Sequence, residues 1–168
     1  MKIINLNYND ITRLYHMLNV LDDETDFMMY EPGERKLDEK GYEDLRRLIE
    51  NAASGKDLLI AAEEDGGIVG FLSAERGKLN RVKHTAYVVC GVLRDYRGRG
   101  VGSELLKQLD QWAMLNDVVR LELTVECRND GAKRLYEKNG FAVEGVRRGS
   151  MKVNGSFADE YYMGKIFN

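Results

Sequence analysis

Proline is almost missing from this chain: Pro32 is the only one in 168 residues. No extended proline-rich linker can be built, and there is no low-complexity tract or internal repeat. Cysteine is nearly as scarce. Cys90 and Cys127 cannot make a disulfide scaffold, and with only His16 and His84 to add they lack the ligands of a Cys/His zinc site. No metal is expected. Positive charge has no excess either. Lys and Arg number 25 against 28 Asp and Glu, a net charge of -3, which argues against a nucleic-acid binder. No stretch approaches the ~18 apolar residues of a membrane span. The opening Met-Lys-Ile-Ile breaks at Asn5, Asn7 and Asn9, so there is no signal-peptide core. The expectation is a soluble, cytoplasmic protein with neither a membrane nor a nucleic acid as partner.

What is present fits one domain, residues 1–168. Hydrophobic residues make up 43% and charged residues 32%. A chain of this size buries roughly 70% of its unfolded surface, enough for a real core.

The pattern predicts the order β-α-α-β-β-β-α-β-α-β-β. Lys2–Leu6 reads as a short strand. From a cap at Asn9 or Asp10, Ile11, Leu14, Tyr15 and Leu18 follow helical spacing. Asp22–Arg35 is acidic and aromatic, a loop or broken helix punctuated by Pro32-Gly33. A second helix runs from about Asp38 to Ala53. Strands Leu58–Glu63 and Ile68–Ala74 flank the hairpin signal Asp65-Gly66-Gly67. A long β-rich run covers Arg81–Leu93, with His84 a strand residue, and an amphipathic helix covers Val101–Ala113. Val119–Glu126 alternates, with Leu121, Leu123 and Val125 on one face and Glu122, Thr124 and Glu126 on the other. A helix from Asp130 to Lys138 stops at Asn139-Gly140. Strands near Phe141–Val146 and Asp159–Ile166 close the chain, with Asn154-Gly155 between them. Hairpins in the first half and a strand-helix-strand unit in the middle predict a mixed α+β sheet.

The sharpest local signal is Arg97-Gly98-Arg99-Gly100-Val101-Gly102, between a strand and a helix. Glycines let the backbone approach a ligand closely. The first turn of a helix adds unpaired N–H groups and the positive end of the dipole, which together favour a phosphate. Arg94, Arg97 and Arg99 make this turn basic in an acidic chain. The spacing fits neither the dinucleotide fingerprint nor the P-loop. A tight turn with solvated arginines is the plainer alternative.

A second constellation begins at Asn129, at a helix start, with Tyr136 seven residues on. Seven residues are about two turns, so both lie on one helix face roughly 10 Å apart. A thin ligand can run between them. The plainer alternative is that Asn129 caps the helix and Tyr136 packs in the core.

Taken together, the two motifs resemble those of the GNAT superfamily of acetyl-CoA-dependent N-acetyltransferases. Arg97, Gly100 and Gly102 match its Arg/Gln-x-x-Gly-x-Gly/Ala pyrophosphate motif. Asn129, Leu135, Tyr136, Gly140 and Phe141 match its later Asn…Leu-Tyr-x-x-x-Gly-Phe signature. The motif order and separation, and the order of elements over about the whole chain, are similar to the family's.

The resemblance implies a twisted mixed sheet of about seven strands and four helices, splayed open between strands 4 and 5, with acetyl-CoA in the opening. Cys90, Gly91 and Val92 would offer backbone groups to the pantetheine arm and thioester. The amides of Gly98, Arg99, Gly100, Val101, Gly102 and Ser103, with Arg97, would hold the pyrophosphate. Asn129 would bond the pantetheine region, and Tyr136 would stand near the sulfur as general acid to the leaving thiolate. A strand-end N–H would steady the oxyanion. Transfer would be direct, in a ternary complex, and the cysteines structural, since no histidine neighbours either in sequence.

The base and the acceptor are less determined. The ribosomal-protein alanine acetyltransferases carry a Glu five residues before the Asn, where this chain has Thr124. Glu122 and Glu126 share that strand face, and a water relay is the third option. The Asp22–Glu31 segment, with Phe27 and Tyr30, suits a cationic amine, and Met28 and Met29 line a pocket or merely pack. The run Asp159-Glu160-Tyr161-Tyr162-Met163 resembles the closing strand of bacterial members that acetylate amino acids or similar small amines. The implied function is acetyl transfer to a small primary amine such as an amino acid or polyamine. The competing reading is a non-catalytic acyl-CoA sensor. A homodimer is expected by resemblance alone.

Overall fold

The computed structural model describes residues 1–167. One seven-stranded sheet runs through it in the order β1-β2-β3-β4-β5-β7-β6. Its strands are β1 (Lys2–Asn5), β2 (Leu58–Glu64), β3 (Gly67–Arg76), β4 (Thr85–Val92), β5 (Arg120–Glu126), β6 (Ala142–Val153) and β7 (Ser156–Ile166). The helices are α1 (Ile11–Glu24), α2 (Glu39–Ala53), α3 (Val101–Leu115) and α4 (Asp130–Lys138). All neighbours are antiparallel except β4 and β5.

That one parallel pair sets up the site. β4 and β5 are in register only from Thr85↔Arg120 to Tyr87↔Glu122. Beyond Tyr87 the two strands part, although each continues to pair with its other neighbour. The sheet is therefore splayed between strands 4 and 5, as expected.

Each face carries its own core. On one face Leu121, Leu123 and Val125 of β5 pack with Leu105, Leu106 and Leu109 of α3 and with Tyr136 of α4. On the other, Leu59, Ala61 and Phe71 pack against Ile11, Leu14 and Leu21 of α1 and Leu45 and Ile49 of α2. The alternation of β5 thus places Glu122, Thr124 and Glu126 on the face of α1 and α2.

Several boundaries move for local reasons. The first helix is capped earlier than expected: Asn7 and Asp10 form a reciprocal capping box over a short 3-10 turn at Tyr8–Asp10. β4 begins at Thr85, because Val82 and Thr85 close turns just before it, so His84 precedes the strand. β6 and β7 run nearly to their turn. Asn154 (φ 49°) and Gly155 (φ 82°) form a two-residue connection of left-handed residues that lets the ladder continue.

Candidate active site

The opening between β4 and β5 is a cleft of about 760 Å³. Its walls are β4 and the turn after it, the first turn of α3, β5, α4, and the segment after α1.

At one end lies the glycine turn. Gly100 caps α3 in the left-handed conformation, φ 85°, which glycine adopts without penalty. The first helical hydrogen bond of α3 runs from the Glu104 N–H to the Gly100 carbonyl. The N–H groups of Val101, Gly102 and Ser103 have no intrahelical acceptor and border the cleft. Gly102 serves a different need: a Cβ there would stand 2.7 Å from Leu135 Cδ2, so its absence lets α3 approach α4. Arg97 reaches back to donate from Nε to the Val92 carbonyl at 2.8 Å, and its Nη2 lies 3.7 Å from Glu24 Oε2. Glu24 itself accepts from the Arg94 N–H at 2.6 Å, tying the end of α1 to this turn.

Arg99 is the exception among the expected residues. It pairs with Glu64 at 2.7 Å and lies over the Tyr96 ring, and it does not line the cleft. The basic charge at this end comes from Arg97, and from Arg134 and Lys138 of α4, neither of which stood out in the sequence.

Along the wall, Cys90, Gly91 and Val92 border the cleft from β4. Burial pushes the Cys90 thiol up to about 12, which leaves almost no thiolate near neutral pH and supports a structural cysteine. Facing it, Asn129 accepts the Ala132 N–H at 3.1 Å through its side-chain oxygen. It therefore caps α4 and also borders the cleft. Tyr136 is 6% exposed, with its ring edge-on to Phe141 at 5.7 Å. Burial, with smaller contributions from Cys90 and Tyr87, pushes its phenol well above the ordinary value. Asn129 thus caps α4 and Tyr136 packs in the core, and both also border the cleft.

The other end is lined by Phe27, Met28 and Met29, by Tyr87 and Thr124, and by Met151, Glu126 and Glu160. The acidic groups of the segment are largely paired within the fold. Asp22 is buried in an ion pair with Arg35, 2.7 Å from Nε, and Arg35 also covers the Tyr30 ring at 4.0 Å. Asp26 accepts from Asn154 at 3.1 Å. These groups brace the segment. The carboxylate residues that border the cleft are Glu126 and Glu160. Glu122 is held by Arg120 at 2.9 Å and does not border the cleft.

The shape and chemistry fit acetyl-CoA: free amides and an arginine for phosphates at one end, and a buried phenol deeper in a narrow, largely apolar passage. The acetyltransferase (GNAT) family pattern matches residues 17–141. The L-amino acid N-acetyltransferase AaaT of Escherichia coli is 33% identical over 106 residues, 61% of this chain and 64% of that protein, so the chain spans under two thirds of its length. The N-alpha-acetyltransferase RimI of Mycobacterium tuberculosis is 35% identical over 112 residues, 66% of this chain and 67% of that one. A GNAT-family acetyltransferase from Streptococcus pneumoniae superposes with a TM-score of 0.91 at 29% identity, covering 99% of both chains. A Salmonella typhimurium protein with its cofactor acetyl-CoA shares the fold at a TM-score of 0.87 and 19% identity, covering 100% of this chain and 94% of that one. By its motifs, its splayed sheet and these relatives, the chain belongs to the GNAT family of acetyltransferases.

Proposed function

We propose that this protein transfers the acetyl group of acetyl-CoA directly to a small primary amine, such as an amino acid or polyamine. The observation that carries this reading is one continuous cleft with the free amides of α3 and Arg97 at one end and Tyr136 within it. The amides of Val101, Gly102 and Ser103 and the Arg97 guanidinium hold the pyrophosphate. Backbone groups of Cys90–Val92 align the pantetheine arm and aim an N–H at the developing oxyanion. Asn129 offers its remaining amide hydrogens to the same arm.

Tyr136 gives its proton to the departing sulfur. The burial that raises its proton affinity equally raises that of the thiolate forming in the same space as the C–S bond breaks, so the proton can pass to sulfur at that moment. The high value for Cys90 disfavours an acyl-cysteine intermediate, which supports direct transfer.

A small acceptor is favoured over a protein terminus by Thr124, which stands where the ribosomal-protein alanine acetyltransferases carry a Glu. The Phe27–Met29 wall and the Glu126 and Glu160 carboxylates suit an amine with a short apolar body. The test is release of CoA thiol by the purified protein against a panel of amino acids, polyamines, aminoglycosides and short peptides. Turnover with a small amine is expected. Tight acetyl-CoA binding with no turnover on any amine would favour the sensor reading, and absence of binding would defeat both.

A further inference from the structure

The acceptor end of the cleft holds two carboxylates that face each other across neighbouring strands. Glu126 of β5 and Glu160 of β7 are register partners, so both side chains project from the same face. Both border the cleft, and their residues are only 3% and 5% exposed. Their bonding differs sharply. Glu126 is fully engaged by Arg128: Oε1 accepts from the backbone N–H and from Nε at 3.0 Å each, and Oε2 accepts from Nη2 at 2.9 Å. Burial raises its proton affinity, but these bonds outweigh it and hold the carboxyl below the usual range. Glu126 is thus a poor proton acceptor whose charge Arg128 balances.

Among the described residues Glu160 has one hydrogen-bonding partner, Arg147, whose Nη1 donates to Oε2 at 3.2 Å and which is itself half exposed. Its other oxygen has no hydrogen-bond partner among the described residues, and the residue borders the cleft. β6 is shaped around it. The register runs Arg147↔Glu160 and then Met151↔Ala158, so residues 148–150 bulge opposite Asp159. Gly149 enters the left-handed region, φ 59°, and its N–H donates to Asp159 Oδ1 at 2.7 Å. The bulge brings Arg147 to Glu160 and Met151 to the cleft wall. It also contains the Ser150 hydroxyl, buried with no hydrogen-bond partner among the described residues, a polar atom that calls for water or ligand.

We propose that Glu160 is the general base of acetyl transfer, with Glu126 keeping the Arg128 cation neutralised beside the acceptor ammonium. This rests on the acetyl-transfer reading above. Glu160 takes one proton from the ammonium, directly or through one water. The freed lone pair forms the C–N bond while the thioester carbonyl becomes an oxyanion. Collapse of that oxyanion breaks the C–S bond, and the sulfur takes the Tyr136 proton. The second nitrogen proton restores Tyr136 through water, and Glu160 returns its proton to solvent. The balance is ammonium plus acetyl-CoA giving acetamide, CoA thiol and one proton.

The experiment compares wild type, Glu160→Gln, Glu160→Asp and Glu126→Gln on two acceptors. One is the best alkylamine from the panel. The other is its analogue with fluorine beside the amine, mostly neutral at the assay pH. With the alkylamine, Glu160→Gln should lose roughly 10²–10³-fold in kcat, with acetyl-CoA affinity by calorimetry unchanged. With the neutral analogue the loss should be less than about tenfold, since the first deprotonation is already done. Glu126→Gln leaves the Arg128 cation unbalanced beside the acceptor ammonium and should instead raise the amine KM more than it lowers kcat. If Glu160→Gln does not fold, Glu160→Asp should show the same split between the two amines at smaller amplitude. Retained kcat, or an equal loss on both amines, overturns the assignment and leaves acetyl transfer standing. A wild type with no turnover on any amine fails the functional reading itself.

Discussion

The Tyr87 and Thr124 hydroxyls lie 2.8 Å apart across the strands that form the cleft. The pairing of β4 with β5 ends at Tyr87↔Glu122, so this bond is the last tie before the sheet opens. It sits where the floor of the acceptor end meets the splay. Removing it with Tyr87→Phe should cost about 0.5–1.5 kcal/mol, because the pair is partly solvated. For a domain of this size that is a fall in Tm of roughly 2–4 °C per kcal/mol. Calorimetric unfolding checks it, and an unchanged Tm together with an unchanged acetyl-CoA affinity would mean the bond does not restrain the opening.

Tyr136 tests the chemistry. Tyr136→Phe keeps the ring against Phe141 and removes only the hydroxyl, so folding and acetyl-CoA binding should persist. Loss of a general acid should lower kcat by roughly 10²–10⁴-fold. Turnover at the wild-type rate would remove Tyr136 as the acid.

Gly100 separates backbone strain from charge. A Cβ at Gly100 meets nothing within 4 Å, but the residue holds φ 85°. Gly100→Ala should therefore cost about 1–2 kcal/mol of stability through the left-handed backbone while leaving the cradle open. Gly100→Glu adds a negative charge beside the amides of α3. With charge-assisted bonds worth about 1.5–3 kcal/mol each, acetyl-CoA affinity should fall by roughly 10–150-fold beyond the alanine variant. Equal affinities for the two variants would place the pyrophosphate elsewhere.

How much of this was legible depends on the range of the interactions. The α3 and α4 faces, the alternation of β5 and the glycine turn are local patterns, and they appear in the structure at the residues expected. Arg99 could not be read, because its partner Glu64 lies across a turn from a distant hairpin. The pairing of Asp22 with Arg35 likewise has no signature in the sequence. Glu160 was visible only within the Asp159–Met163 run. Its pairing with Glu126 depends on the β5–β7 register, and its arginine contact on a bulge in β6. Neither has a short-range signature. Glu122 and Glu126 looked equivalent in sequence, and only their arginine partners and the splay tell them apart.

Cys90 gives a pH test. With its thiol pushed up to about 12, the reactive thiolate stays a trace species at neutral pH. The sign is that of an acid kept neutral by burial, so reactivity grows as pH rises toward that value. In a Cys127→Ser background, alkylation by iodoacetamide should be slow at pH 7 and climb about tenfold per pH unit with no plateau below pH 10. An ordinary thiol levels off near pH 9. A plateau there would show an activated cysteine and reopen the acyl-enzyme route.

The Asp22–Arg35 pair links stability to the acceptor wall. Asp22 has a side chain only 1% exposed, and Arg35 is 15% exposed, so removing one partner strands a buried charge. Arg35→Ala should destabilise by about 3–5 kcal/mol, measured by urea unfolding. It also uncovers the Tyr30 ring and loosens the segment that carries Phe27–Met29 into the cleft, so the acceptor KM should rise while the acetyl-CoA affinity holds. Asp22→Asn combined with Arg35→Ala removes the stranded charge. The double variant should therefore lose less than the sum of the two single changes. Strict additivity would mean that the two side chains act independently, and that the segment is braced by its other contacts.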